Sequence, residues 1–441
     1  MKNYNILKGS LAAGAILLAA LTGTLQAAHL VHDIDGITGP AFELTARAGH
    51  LSTAEGNSVY FWGYASGAGR AQYPGPTLIV NQGDTVTVTL RNELPVPVSI
   101  LFPGQAGVTA SGGSGGALTQ EAPAGTPDVP GGPVTYEFTA AEPGTYLYES
   151  GTRSDLQTEM GLVGALIVRP SGFVAAEGSA NRKAYAHADS VYEHEFLFFL
   201  TEVDERIHDQ VEAQVRDGLP VQVDMTKRFP VYWFINGRTG PDTVLPVNAP
   251  WLPHQPYDAL VKIHATDRVL MRVIGAGRDS HPFHHHGNHA RVLARDGRFL
   301  STAGQTGGTV GADLSYEVFT VPSSPGSTYD ALFTWTGEKL GWDIYGHAPG
   351  DPLAPGEYAP DHGKPFPVKL PTDQDLTFGQ MYSGSPFLGV LGTLPPGQGG
   401  FNPVAGFMYM WHSHNEKELC NNDIFGGGMM TFLLIAAHPT P

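Results

Sequence analysis

Apolar and polar residues alternate in short runs along most of this chain, a pattern that predicts strands rather than helices. Val86, Val88 and Leu90 alternate with threonines, as in a strand with one buried face. Runs over residues 58–64 and 77–90 are separated by the turn sequences Pro74-Gly75-Pro76 and Gln82-Gly83-Asp84. A strand is expected over 98–102, then a Gly-, Pro- and Ala-rich loop, and further strands over 134–138, 144–148 and 162–168. Apolar periodicity fades over 171–190, which reads as a linker. Beyond it, 195–201 is β-like, whereas 204–215 carries Ile207, Val211 and Val215 four residues apart and predicts a short helix. Residues 231–236 lead into the hairpin signal Asn236-Gly237, and 261–274 alternates again before a histidine cluster at 281–289. The stretch 346–400 is rich in Pro and Gly and reads as loop, with strands resuming near Gly406.

The composition agrees with an all-β chain. Gly 56 and Pro 35 with 15% charged residues describe a turn-dense protein, and 41% hydrophobic content supplies cores for the two or three domains that 441 residues imply. A formal charge of -17, spread along the chain, argues against nucleic acid or an anionic membrane as partner. Lys2 and Lys8 precede an apolar run over 11–21 and small residues ending near Ala27 and Ala28, which reads as a secretory signal peptide over 1–28. The run is shorter than the ~20 residues of a membrane helix, so the mature protein is expected in the periplasm or outside the cell, with no membrane partner. The single cysteine, Cys420, excludes a disulfide within the chain.

The two halves look like copies. Ser99-Ile100-Leu101-Phe102-Pro103-Gly104 corresponds to the second-half segment His281-Pro282-Phe283-His284-His285-His286-Gly287, and Tyr148-Glu149-Ser150-Gly151 to Trp411-His412-Ser413-His414. Aligned on glycine and serine, Leu101 falls opposite His284, Pro103 opposite His286, Glu149 opposite His412 and Gly151 opposite His414. Residues two apart on a strand share a face, so His284 with His286, and His412 with His414, could converge as four imidazoles. Such a set suits a transition metal and leaves copper and zinc both open. His281 could join as ligand or support from behind, and His285 should face the other way. Lone histidines such as His208, His254, His347 and His362 read as ordinary hydrogen-bonded residues. Gly112-Gly113-Ser114-Gly115-Gly116 matches a hydrolase pattern but lies in a low-complexity loop without a strand leading into a helix.

The second-half motifs resemble the multicopper oxidase family: His281-Pro-Phe-His284-His-His286-Gly287 is similar to its His-Pro-x-His-x-His-Gly signature, and Trp411-His412-Ser-His414 to its closing His-Cys-His block. Pro74-Gly75-Pro76-Thr77, Gly83-Asp84 and the 146–168 segment resemble the first-domain framework. The resemblance implies two tandem Greek-key cupredoxin-like β-sandwich domains, over 29–175 without metal ligands and over 190–441 with the metal. It also implies a copper cofactor, a small-molecule or metal-ion reductant, oxygen as a co-reactant, and a homotrimer. The metal ligands expected from it are His281, His284, His286, His412 and His414, and no catalytic residue is assigned. Ser413 stands where the family has the blue-copper cysteine, and Leu101, Pro103, Glu149 and Gly151 stand where the first domain would supply histidines. Cys420 reads as a structural or incidental thiol, Met429 and Met430 as core, and Glu149 and Glu159 as surface carboxylates. Two uses compete with an oxidoreductase: a copper store or buffer without turnover, and a degenerate structural protein.

Overall fold

The structure, a computed structural model, describes residues 31–344, 347–348, 350–354, 356–365, 384–385 and 407–436. The signal-like segment and most of the 346–400 stretch lie outside the described residues. Nearly all of the regular structure is strand, as the alternating pattern predicts, and the architecture is the cupredoxin-like one that the family resemblance implies.

In the first half, a five-stranded sheet runs in spatial order Ser58–Ser66, Ala41–Ser52, Thr85–Asn92, Gly131–Thr139 and Thr109–Gly112. It faces a four-stranded sheet of Ile37–Thr38, Leu78–Asn81, Val163–Arg169 and Gly144–Glu149. Val86, Val88 and Leu90 point into the core between them, beside Phe42, Leu44, Trp62, Tyr136 and Tyr148, while Thr85, Thr87 and Thr89 stay on the wetter face. In the second half, Tyr232–Ile235, His194–Val203, Arg268–Gly275, Thr328–Thr334, Ala290–Arg295 and Arg298–Phe299 form one sheet. The facing sheet runs Val261–His264, Met430–Ala436, Phe407–Ser413, His281–His285 and Thr320–Ser323. Phe198, Phe283, Phe333, Trp335, Tyr409 and Trp411 fill the space between.

A third apolar layer joins the halves. Leu166 and Val168 of Val163–Arg169 enter the first core, whereas Val163, Ala165 and Ile167 meet Leu197, Phe199 and Phe234 of the second half. Burial on both faces explains why residues 162–168 are continuously apolar where other strands alternate. Along this seam Arg169 and Arg272 both bond to Glu195, and Arg272 also reaches Asp330.

The expected helix spans Glu205–Arg216, with the Asp204 side chain accepting the Arg206 N–H as its N-cap. Ile207 and Val211 are buried, and with Val215 they pack on the first-half core, so the helix reaches back across the molecule. The 171–190 stretch differs from a loose linker. Ala184, Tyr185 and Tyr192 pack with Leu293 and Phe299, and the buried Arg182 bonds to Asp33 at 2.6 Å. Scattered aromatic and guanidinium contacts carry no periodicity, which is why the pattern there gives no element. Among the described residues, no helix is long and apolar enough to cross a membrane.

Candidate metal centre

The strand His281–His285 runs antiparallel to Phe407–Ser413, with His284 opposite His412 and Phe283 opposite Ser413. Alternation sends Phe283 and His285 into the core with Tyr409 and Trp411, leaving His284 and His412 on the other face. His285 faces away as expected: its ring packs edge-on against Phe333 and Trp411, and burial pushes its pKa down to about 3. The Trp411 indole N–H donates to the His286 carbonyl at 2.9 Å and fixes the end of the histidine strand.

His284, His286 and His412 each offer a ring nitrogen within 4.8 Å of the others. The Nε2 atoms of His286 and His412 approach to 3.2 Å. His412 Nδ1 lies 2.6 Å from the Ser413 carbonyl, which can only accept, so the proton sits on Nδ1 and the Nε2 lone pair faces His286. His284 Nδ1 is held by the Thr320 hydroxyl at 2.9 Å. Burial first, then the neighbouring imidazoles, lowers the His284 pKa to about 4, and burial lowers that of His412. At neutral pH His284 and His412 are therefore uncharged rings, and with His286 beside them the imidazole donor set fits copper or zinc and offers no oxygen cage to a hard cation.

Of the five expected ligands, His281 stands apart. Its Nε2 meets Glu202 at 2.8 Å and its Nδ1 meets Glu418 at 2.9 Å, so both ring nitrogens are engaged by buried carboxylates. Burial disfavours the imidazolium, but the two carboxylates outweigh it and push the pKa up to about 9. His281 is therefore the cation of a buried chain in which Arg228 bonds to both Glu202 and Glu159. Glu159, expected at the surface, is wholly buried here beside His208, which lies 3.7 Å away. His414 has its ring 4.9 Å from that of His284, but the side chain is 55% exposed and lies at the rim of the cluster.

The first half repeats the register without the chemistry. Leu101 pairs with Glu149 through reciprocal backbone hydrogen bonds, as His284 pairs with His412. A Cβ at Gly151 would lie 2.7 Å from Leu101 Cγ, so the leucine side chain fills the space beside Gly151. Glu149 is largely buried, with burial raising its pKa, and no described metal-capable group includes it. Cys420 sits in a separate two-strand ladder with Ile424–Phe425 and, among the described residues, joins no such group. Met429 is core, and Met430 is partly buried opposite His412.

Paired sandwiches with a histidine cluster on one sheet form a cupredoxin-like fold that carries a candidate metal site. Residues 52–172 match the family model described as multicopper oxidase. The matched residues lie in the first half, where Leu101 and Glu149 stand in the register that His284 and His412 hold in the second. Multicopper oxidase MCE of Talaromyces pinophilus is 39% identical over 101 residues, 22% of this chain and 15% of that one. A probable nitrite reductase-hydroxylamine oxidoreductase fusion protein of Kuenenia stuttgartiensis is 32% identical over 207 residues, 44% of this chain and 23% of its own length. The matches to these curated relatives thus span less than a quarter of their length. Among solved structures, a blue copper oxidase from Nitrosomonas europaea superposes with a TM-score of 0.51 at 18% identity, covering 89% of this chain and 85% of that one. The multicopper oxidase mgLAC gives 0.52 at 18% identity over 91% and 87%. At that identity the likeness establishes the fold.

Glu202, Glu418 and Thr320 are the functional neighbours that the sequence did not reveal. They come from distant strands and a short 3-10 turn, and their residue types carry no spacing signal. A three-imidazole cluster near a rim can hold a metal and leave a coordination position for a small reactant.

Proposed function

We propose that this protein is an exported copper oxidoreductase of the multicopper oxidase class, working from a histidine-only site in its second half with an incomplete copper complement. The observation that carries the reading is the convergence of His284, His286 and His412 within 4.8 Å, with burial holding His284 and His412 below the ordinary imidazole pKa. His414 completes the set at the rim. Ser413 in place of a thiolate removes the ligand on which a blue, electron-accepting copper depends. Residues 29–175 act as a framework domain and 190–441 as the metal-bearing one, in the periplasm or outside the cell. Assembly as a homotrimer is part of the same proposal, carried over from the multicopper oxidase resemblance of the sequence.

When bound, copper would supply one-electron exchange between a small-molecule or metal-ion reductant and oxygen. The chain's own residues set the conditions: the Ser413 carbonyl and the Thr320 hydroxyl orient the rings of His412 and His284, and Phe319, edge-on to His284 at 5.6 Å, shields one side. The competing reading is a copper store without turnover.

The test is copper loading of the wild type and of a His284→Ala, His412→Ala double variant, followed by metal analysis and visible and electron paramagnetic resonance spectra. About one copper per chain at this site, with no intense blue band and lost in the double variant, is expected. A strong blue band would place a thiolate on the copper, and copper retention unchanged by the substitutions would overturn the site. Copper-dependent oxygen uptake with phenols, metal ions or cuprous ion then separates an oxidase from a store, which would not sustain it.

A further inference from the structure

Far along the chain from the histidine strands, between Thr328–Thr334 and Phe407–Ser413, a tight segment gathers Asp343, His347, Glu357 and His362. Each offers one ligand atom, and all four atoms lie within 4.8 Å of one another. His347 Nδ1 is 3.1 Å from Asp343 Oδ2 and 3.3 Å from Glu357 Oε1. His362 Nδ1 is 2.7 Å from Glu357 Oε1 and 3.8 Å from Asp343 Oδ2. These four separations bracket the ~3.3 Å edge of a tetrahedron whose metal–ligand bonds are ~2.0–2.1 Å.

The surroundings orient the donors. His362 Nε2 donates to the Asp351 carbonyl at 2.9 Å, so its proton is on Nε2 and Nδ1 turns inward toward the carboxylates. The Gly363 N–H donates to Asp343 Oδ2 at 2.9 Å, and the Ala354 N–H to Glu357 Oε2 at 2.7 Å. The two carboxylate side chains are 0% and 3% exposed. Two buried negative charges sharing two imidazoles require cations among them, either two ring protons or one divalent ion.

We infer that Asp343, His347, Glu357 and His362 form a second metal site, distinct from the histidine cluster, which takes a borderline divalent cation of the zinc class. Two carboxylates and two neutral imidazoles balance the charge of one divalent ion with mixed oxygen and nitrogen ligands. Four protein ligands fill a tetrahedron and leave no open position, so the ion staples the segment rather than serving chemistry. His347 and His362, which the sequence presents as lone histidines, owe their proximity to the fold of this loop.

The experiment uses the full chain with His284, His286 and His412 all replaced by alanine, so that copper-site failure cannot be mistaken for failure here. Zinc is added, the excess is removed and bound metal is counted; cobalt serves as a spectroscopic probe of tetrahedral geometry. About one ion per chain is expected, with the visible spectrum of tetrahedral cobalt, and both disappear on adding Asp343→Asn with Glu357→Gln, or His347→Ala with His362→Ala. Retention of no ion, or of an ion that survives both added pairs, would overturn the site and leave protonated imidazoles as the partners of the carboxylates. Should the triple variant not fold, the wild type is expected to hold one more zinc than its Asp343→Asn, Glu357→Gln variant at matched circular dichroism. Equal zinc in that comparison would overturn the site.

Discussion

His281 and His284 sit three residues apart on one strand, yet their environments drive them to opposite protonation states. Two buried carboxylates hold His281 as a cation with a pKa near 9, whereas burial and adjacent imidazoles hold His284 neutral with a pKa near 4. The first is suited to ion pairing and the second to metal ligation. Because the folded pKa of His281 lies above its ordinary ~6.5, its stabilising contribution is fully present below ~6.5 and is lost as pH rises through about 9. That contribution is on the order of 3 kcal/mol, so denaturant titrations of the wild type should show stability falling across this window, with the fall absent in His281→Gln. At pH 7 His281→Ala should cost about 3–5 kcal/mol, since it removes the buried cation that Glu418 shares with Glu202, which keeps Arg228 alone. Thr320 acts on the other histidine. Thr320→Val keeps the volume but removes the hydroxyl on His284 Nδ1, and should weaken copper binding by about 10-fold or more, read by competition with a chelator.

At the scale of the strand pair, one register serves two chemistries. His284 opposite His412 gathers imidazoles on one face, whereas Leu101 opposite Glu149 builds packing, with Leu101 lodged over Gly151. Gly151→Ala should therefore destabilise the first half by about 1–3 kcal/mol through overpacking, seen as a lowered thermal midpoint with copper binding in the second half unchanged. The alignment of the two halves was legible because both keep the same glycine and serine landmarks. The alternating strands were legible for a simpler reason: Val86, Val88 and Leu90 answer to one buried face. The partners of His281 were not, because an ion pair between residues 79 and 137 positions apart leaves no local pattern. Nor was the grouping of His347 with His362, which depends on the path of a Pro- and Gly-rich loop. Glu159 was misread for the same reason, since its burial follows from Arg228 and His208 arriving from the far half.

Across the whole molecule, the two sandwiches are coupled by an apolar seam with a charged network set into it. Leu147, Val163 and Ile167 meet Phe199, Phe234 and Ile274, and alongside them Arg169 of the first half shares Glu195 with Arg272 of the second. Burial alone would raise the Glu195 pKa, but the two guanidiniums outweigh it and hold the carboxyl well below the usual range. Its contribution is therefore present above ~4.3 and lost as pH falls below that value, so acid should weaken the seam early. Glu195→Gln should lower stability at neutral pH by about 3–5 kcal/mol, because Arg169 and Arg272 lose their carboxylate, and should flatten the dependence on pH below ~4.3. Calorimetry separates the two contributions to coupling. The apolar layer persists in the variant, so the halves should still melt in a single transition at a lower temperature; resolution into two transitions would assign the coupling to the charges instead.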